Sequence, residues 1–513
     1  MDLTITENMK KIQLFLCFTI IQLHAFAQRY EITSPRVLYS SMAESIEVTR
    51  IAFTENKTTL QFIVRTNNVP VSISEKAFIV ESGGTRHQLL SEDERKEGMH
   101  GAPDTCNLYT LHFEPCNNKN TKCIDFYNGG NGMILGIHDS KTSLNLPDKE
   151  YRINADEVDN SMFLPGKIEI SGKVRNIGTG KKIYCQYLHF YTDSDRADKY
   201  AHVNDDGTFH LSFAADHPGM LDFFCMDEGS DITQGNGSAL AWNIYARPGD
   251  KLDIEFDTNK HHEFDIRNLS GRPTYTKLSQ YGLNLINSVT HKVSGYDDTG
   301  KAREEIREAY KKNKELAKYI IWHYGFSDTE AALYLDKLLF AYSFGMGSVN
   351  LQAINRAQDE HLRLSDGMSW LEDTDSLNAL VDLSYLKELE PYNREYFCNT
   401  DFHNAYGRIP PVFEKIRKDV YADGKELSVA EKEVRILHEQ SEALNKITGW
   451  TGLTYIAQAM YVYHMYQIRD SNGFKKFSTT EPLEAIQKEL THPYLINSAK
   501  EIYDEYLRDK QDK

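Results

Sequence analysis

The chain has 513 residues, a net charge of −17 and 40% hydrophobic residues. That hydrophobic content supplies real cores and excludes wholesale disorder, and the length leaves room for about three domains. An acidic chain with mixed charges is a poor match to nucleic acid or anionic lipid, so neither is expected as a partner.

Residues 9–27 read as an export signal. Met9-Lys10-Lys11 gives a positive start, and Leu14, Phe15, Leu16, Phe18, Ile20 and Ile21 build a short apolar core. Ala25-Phe26-Ala27 fits the small-x-small rule for cleavage before Gln28. The core is shorter than the about 20 residues that cross a bilayer. Met9 is a better start than Met1, because Asp2 and Glu7 do not suit the positive region of a signal. Cys17 follows Leu16 inside the apolar core. A lipoprotein signal wants a small residue there and a cysteine near the end of the core, so a lipid anchor is not expected. No later segment is apolar enough for a membrane span. The expectation is a soluble, exported, periplasmic protein that starts near Gln28.

Residues 28–148 read as a β-sandwich. Ile46–Thr54 and Thr58–Thr66 are strand-like, with Leu60, Phe62 and Val64 alternating with polar residues, and Glu55-Asn56-Lys57 is a hairpin connection. Ala77–Val80, Gln88–Ser91, Leu108–Phe113, Cys123–Tyr127 and Met133–His138 continue the pattern. Asn128-Gly129-Gly130-Asn131-Gly132 is a tight connection, and it lacks the strand–loop–helix context of a phosphate loop.

A polar linker, 149–165, leads to a small antiparallel β-domain, 166–256. Ile168, Ile170 and Val174 alternate with polar residues, and Phe209, Leu211 and Phe213 share one face of another strand. Asn204-Asp205-Asp206-Gly207 and Pro248-Gly249-Asp250 are turns, the first with a glycine free to take a positive φ.

Residues 272–513 change period and read as all-helical. Ile306, Tyr310, Asn313, Ala317, Ile320 and Tyr324 follow helical spacing, with Gly325 as the stop. Ser327 with Glu330, and Ser428 with Glu431, are capping boxes that open two further helices. Leu453, Ile456, Met460 and His464 mark another, and Pro493 lies in the first turn of the last. No internal repeat of fixed period is present. The fold class is therefore multidomain α+β: two antiparallel β-sandwich-like domains followed by an all-α domain.

No catalytic motif of any specificity is written in the chain. Six of the seven cysteines lie beyond the signal, and none forms C-x-x-C. Cys116 and Cys123 flank a turn-like run, Asn117-Asn118-Lys119-Asn120, and their spacing leaves a disulfide open. Inert buried thiols are the reading for Cys185, Cys225 and Cys398. His261-His262 is an awkward metal pair, because neighbours on a strand point to opposite faces. Asp205-Asp206 lacks the pattern of a calcium loop, and G-x-S-x-G is absent. No metal, no cofactor and no catalytic residue is therefore assigned. Dispersed carboxylates of a hydrolase stay open, since such residues are distant in sequence. Tyr455, Val462 and Tyr466 share a helix face that reads either as core or as a groove for a ligand or partner.

Several stretches carry a resemblance. Ile46–Thr54 with Thr59-Leu60-Gln61-Phe62, and Tyr109–Pro115 with Thr121–Phe126, look like a first-domain hairpin and its later strands. Lys167–Val174, Asp205–Phe209 and Pro248-Gly249-Asp250 look like a small β-domain, and Ser369-Trp370-Leu371 through Tyr385-Leu386 with His492–Ile496 look like a helical spacer. In this order they resemble the long N-terminal extension of periplasmic TlpA-like thiol:disulfide oxidoreductases. In that family the spacer runs into a thioredoxin fold bearing W-C-x-x-C, whereas this chain stops at Lys513. No position matches the family's catalytic cysteines, so none is carried over. The resemblance implies a non-catalytic extension that positions, dimerises or binds a client, with a separate thioredoxin-fold protein or a second copy as partner. A free-standing binding protein for a glycan, peptide or protein is the alternative, and the hydrolase comes third.

Overall fold

A computed structural model describes residues 30–42, 46–66, 71–93, 96–97, 105–116, 123–129, 132–153, 160–187, 199–230, 237–258, 264–281, 298–363, 380–406, 412–468 and 480–511. The export signal, Asn117–Lys122, His261-His262 and Ser369-Trp370-Leu371 lie outside them. The fold is mixed α+β, with antiparallel sheets in the N-terminal part and helices in the C-terminal part. The chain divides into two compact units: Met1–Asp148 with Lys318–Gly325, and Lys149–Ala317 with Phe326–Lys513.

The strands of the first unit are β1 (Tyr30–Thr33), β2 (Tyr39–Ser40), β3 (Ile46–Phe53), β4 (Thr58–Thr66), β5 (Phe78–Glu81), β6 (Arg86–Glu92), β7 (Lys96–Glu97), β8 (Thr105–Phe113), β9 (Cys123–Tyr127) and β10 (Met133–His138). They run in the order β1-β3-β4-β8-β6-β5-β9-β10-β2, with β7 beside β8. Thr54 donates its N–H to the Lys57 carbonyl and closes the β3–β4 hairpin. The ladder bends at β6, where the register against β8 slips between Leu89 and Ser91. This bend brings the two halves face to face, so Phe126 of β9 packs on Phe62 of β4 and Phe113 of β8. β4 alternates buried Leu60, Phe62 and Val64 with less buried neighbours. β5 and β10, by contrast, are buried at every residue. A strand buried on both faces needs a cover on each. Beside β5, on the outer face of β9 and at the turn after β5, the cover is Lys318–Gly325, the end of a helix that starts far away in sequence.

The second unit opens with β11 (Gly166–Arg175), β12 (Lys181–Tyr187), β13 (Tyr200–His202), β14 (Thr208–Ala215), β15 (Gly219–Asp227), β16 (Ser238–Ala246), β17 (Lys251–Asp257) and β18 (Phe264–Asn268). They form two four-stranded sheets, β14-β11-β17-β18 and β13-β12-β15-β16. One pair departs from the antiparallel expectation: β11 and β17 run parallel. Parallel neighbours need a long crossover, and five intervening strands supply it. The sheets share a core in which Phe256 meets Phe209 and Phe223. Gly207, at φ 83°, makes the β13–β14 turn, and a Cβ there would stand 2.5 Å from the Val174 carbonyl oxygen.

The helices are α1 (Thr276–Tyr281), α2 (Thr299–Tyr324), α3 (Asp328–Arg363), α4 (His403–Tyr406), α5 (Val412–Asp423), α6 (Val429–Thr448), α7 (Tyr455–Ile468), α8 (Glu481–Glu489) and α9 (Pro493–Gln511). Gly325 at φ 62° ends α2. Both capping boxes form. Ser428 and Glu431 exchange hydrogen bonds at the start of α6, and the Ser327 hydroxyl receives the Glu330 N–H while the Glu330 carboxylate receives the Ser327 N–H. Among the described residues no helix is long and apolar enough to cross a membrane.

Candidate functional site

A hub of hydrogen bonds in the first unit is Asp125, at the centre of β9 and wholly buried. Alternation along β9 sends Ile124 and Phe126 into the sandwich core and Cys123, Asp125 and Tyr127 to the other face. There the end of α2 meets them. Tyr319 donates its hydroxyl to Asp125 Oδ1 at 2.7 Å, Tyr324 donates to Oδ2, and the Gly136 N–H adds 2.7 Å to Oδ1. His323, also wholly buried, places Nε2 3.6 Å from Oδ2. Burial, reinforced by the Asp125 carboxylate, holds the Tyr319 and Tyr324 phenols well above the usual tyrosine range. They therefore act as fixed donors, and the carboxylate is satisfied on both oxygens.

The cysteines Cys116, Cys123, Cys185, Cys225 and Cys398 are free thiols, and all but Cys225 are buried. The disulfide left open between Cys116 and Cys123 is not formed. Cys116 belongs to the sandwich core, whereas Cys123 Sγ lies 3.0 Å from the Tyr319 hydroxyl on the opposite face of the sheet. Burial pushes Cys123 well above its ordinary range, and the Asp125 charge adds to that. Cys398 and Cys225 are also raised, each by burial first.

Among the described residues, Glu81, His87 and Cys116 form a set with metal-ligating chemistry, their donor atoms all within 4.8 Å of one another. All three are buried, His87 with 5% exposure. Their spacing in sequence follows no metal motif, which is why pattern reading passes over them.

In the second unit, Glu433 of α6 is wholly buried. Arg417 of α5 grips it with two 2.6 Å bonds, and the hydroxyls of Tyr421 and Tyr461 each donate at 2.7 Å. One signal for it exists in the sequence. Glu433 falls on the stripe Ala430, Ile436, Leu437 and Leu444 that α6 buries, a charge where an apolar residue is expected. A second polar cluster centres on Asp222. It accepts the Asn243 N–H at 2.8 Å, while Lys337 lies 2.7 Å from Asp401 and donates to the Asn243 side chain. Burial pushes Asp222 up to about 6, against the pull of the Lys337 ammonium.

The predicted face of α7 packs inward. Val462 is wholly buried. Tyr455, half-buried, sets its ring edge-on to His492 at 5.2 Å and to Tyr392 at 6.0 Å. Tyr466 is half-buried as well.

Comparison with known proteins adds no assignment. No protein-family model matches the chain, and no curated protein matches it. A gamma-CGTase from alkalophilic Bacillus clarkii is a listed structural match at 8% identity and a TM-score of 0.12. It spans 44% of this chain and 42% of its own, a likeness too slight to bear on fold or activity.

Proposed function

We propose that the chain is an exported, non-catalytic module of the kind that precedes the thioredoxin domain in periplasmic TlpA-like thiol:disulfide oxidoreductases. Its work is to position, dimerise or hold a client. A separate thioredoxin-fold protein or a second copy of the chain is its partner.

The observation that supports this reading is the state of the thiols. Exchange chemistry needs an exposed cysteine whose ionisation falls near neutrality. Cys123 and Cys398 are buried, and burial moves both ionisations upward. Burial opposes thiolate formation at both, and nearby carboxylates, Asp125 at Cys123 and Glu395 and Asp336 at Cys398, add to it. A nucleophilic cysteine would instead sit beside a cation or a helix N-terminus.

The test uses the purified full chain with an insulin disulfide substrate and a thiol reductant. The expected rate equals that of the reductant alone. Acceleration that vanishes on replacing a single cysteine with serine would overturn the proposal.

A further inference from the structure

We propose that Glu81, His87 and Cys116 form a binding site for a divalent, zinc-like cation. Three observations carry it, and none depends on the functional reading above.

The first is the donor set. A carboxylate oxygen, an imidazole nitrogen and a thiolate sulfur are the three ligand types that zinc takes. Hard cations such as Mg²⁺ and Ca²⁺ favour oxygen alone, so the cysteine and histidine select against them.

The second is the unspent nitrogen. His87 Nε2 is buried and has no hydrogen-bond partner. It stands 3.6 Å from Glu81 Oε1, too far for a hydrogen bond. Bonds of about 2.0–2.3 Å arranged tetrahedrally put neighbouring ligand atoms about 3.3–3.6 Å apart. Glu81 and His87 already have that separation. All three donor atoms lie within 4.8 Å of one another, a spread that a modest side-chain rotation closes onto one ion.

The third is the rigidity of the backbone that presents the ligands. Glu81 ends β5 and His87 lies in β6, and the two flank one tight turn closed from the Glu81 N–H to the Thr85 carbonyl at 3.1 Å. His87 pairs with Ile79, and both point into the sandwich core together with Glu81. Cys116 is held by its own N–H on the Thr58 hydroxyl at 3.0 Å. Just before it, Glu114 exchanges hydrogen bonds with Gln88 at 3.0 Å each. The segment bearing the sulfur is thereby fixed against the strand bearing the nitrogen.

A cation here joins the three side chains, leaves its fourth position to water, and releases the thiol proton of Cys116 to solvent. It also clips the β5–β6 hairpin to the segment after β8.

The experiment is a titration of the untagged full chain, kept reduced with a phosphine, with Zn²⁺ and with Co²⁺ as a spectroscopic probe. The expected result is one ion per chain, a thiolate-to-cobalt charge-transfer band and a rise in melting temperature with Zn²⁺. Cys116→Ser abolishes the band, and His87→Ala weakens binding by more than the about 10–100-fold that loss of an outer partner costs. Cys123→Ser leaves both unchanged, which separates this site from a disulfide-linked role for Cys116. Should a ligand variant fail to fold, the charge-transfer band of the unaltered chain still decides. Absence of that band, or a band that survives Cys116→Ser, would overturn the site.

Discussion

Tyr319 donates its hydroxyl to Asp125 at 2.7 Å across 194 positions of sequence. This bond, with its neighbour from Tyr324, makes the end of α2 an integral part of the first unit. Its removal leaves a buried carboxylate short of a donor. Tyr319→Phe is expected to lower unfolding free energy by about 1–3 kcal/mol. Asp125→Ala, which strands two phenols and the Gly136 N–H, costs more, about 3–5 kcal/mol. Urea unfolding of the two variants checks the order. Equal stability of Asp125→Ala and the unaltered chain would show that the cluster is not holding the helix end.

The Arg417–Glu433 pair is a buried ion pair in which each carboxylate oxygen receives one guanidinium N–H and one tyrosine hydroxyl. Arg417→Ala leaves the Glu433 charge unmatched and is expected to cost about 3–5 kcal/mol. Replacing both partners, Arg417→Met with Glu433→Leu, is expected to cost less than the single change. A double variant less stable than Arg417→Ala contradicts that account. The measurement is denaturant unfolding of all three proteins under one buffer.

Stability should depend on pH through two opposed sets of groups. Asp222 is raised to about 6, chiefly by burial. Its folded form therefore holds the proton more tightly than the unfolded form, near 3.9. The stability it gives is full below about 4 and is lost as pH rises through about 6. His464 and His492 are lowered to about 4 and about 3, each by burial first. Unfolded histidine takes up a proton near 6.5, so their contribution is full above that value and is lost as pH falls below it. Asp222→Asn should therefore gain on the unaltered chain between pH 4 and pH 6, by on the order of 3 kcal/mol at 1.36 kcal/mol per unit. His464→Gln should instead gain on it as the pH is lowered. Unfolding curves from pH 4 to 7 read both, and a flat difference for Asp222→Asn would refute its assignment.

Much of the fold was legible because local signals and tertiary structure agree. The predicted strands Thr58–Thr66, Cys123–Tyr127 and Met133–His138 form with those bounds. Ser327–Glu330 and Ser428–Glu431 cap the helices they were expected to cap, because a capping box is decided within one turn of chain. What escaped the sequence is what depends on distant partners. Nothing near Tyr319 announces that it serves Asp125. Nothing near Glu81 announces His87 and Cys116, since strand pairing brings the first and a hydrogen bond to Thr58 holds the second, 58 positions away from that threonine. The face of Tyr455, Val462 and Tyr466 reads in sequence as core or groove, because a helix face shows its composition there and its neighbours only in space; Val462 is core and both tyrosines are half-buried. The tyrosine content finds its explanation in the same way. Tyr109, Tyr187, Tyr319 and Tyr461 are buried rings whose hydroxyls serve carbonyls or carboxylates inside the protein.

The central claim is that the buried thiols Cys123, Cys185 and Cys398 are structural, and the most direct measurement is alkylation of the native, reduced chain at pH 7, followed by mass spectrometry of each cysteine. The account predicts that Cys123, Cys185 and Cys398 stay unlabelled until the protein is unfolded. Rapid native labelling of Cys123 or Cys398, or recovery of either in a disulfide, would contradict it.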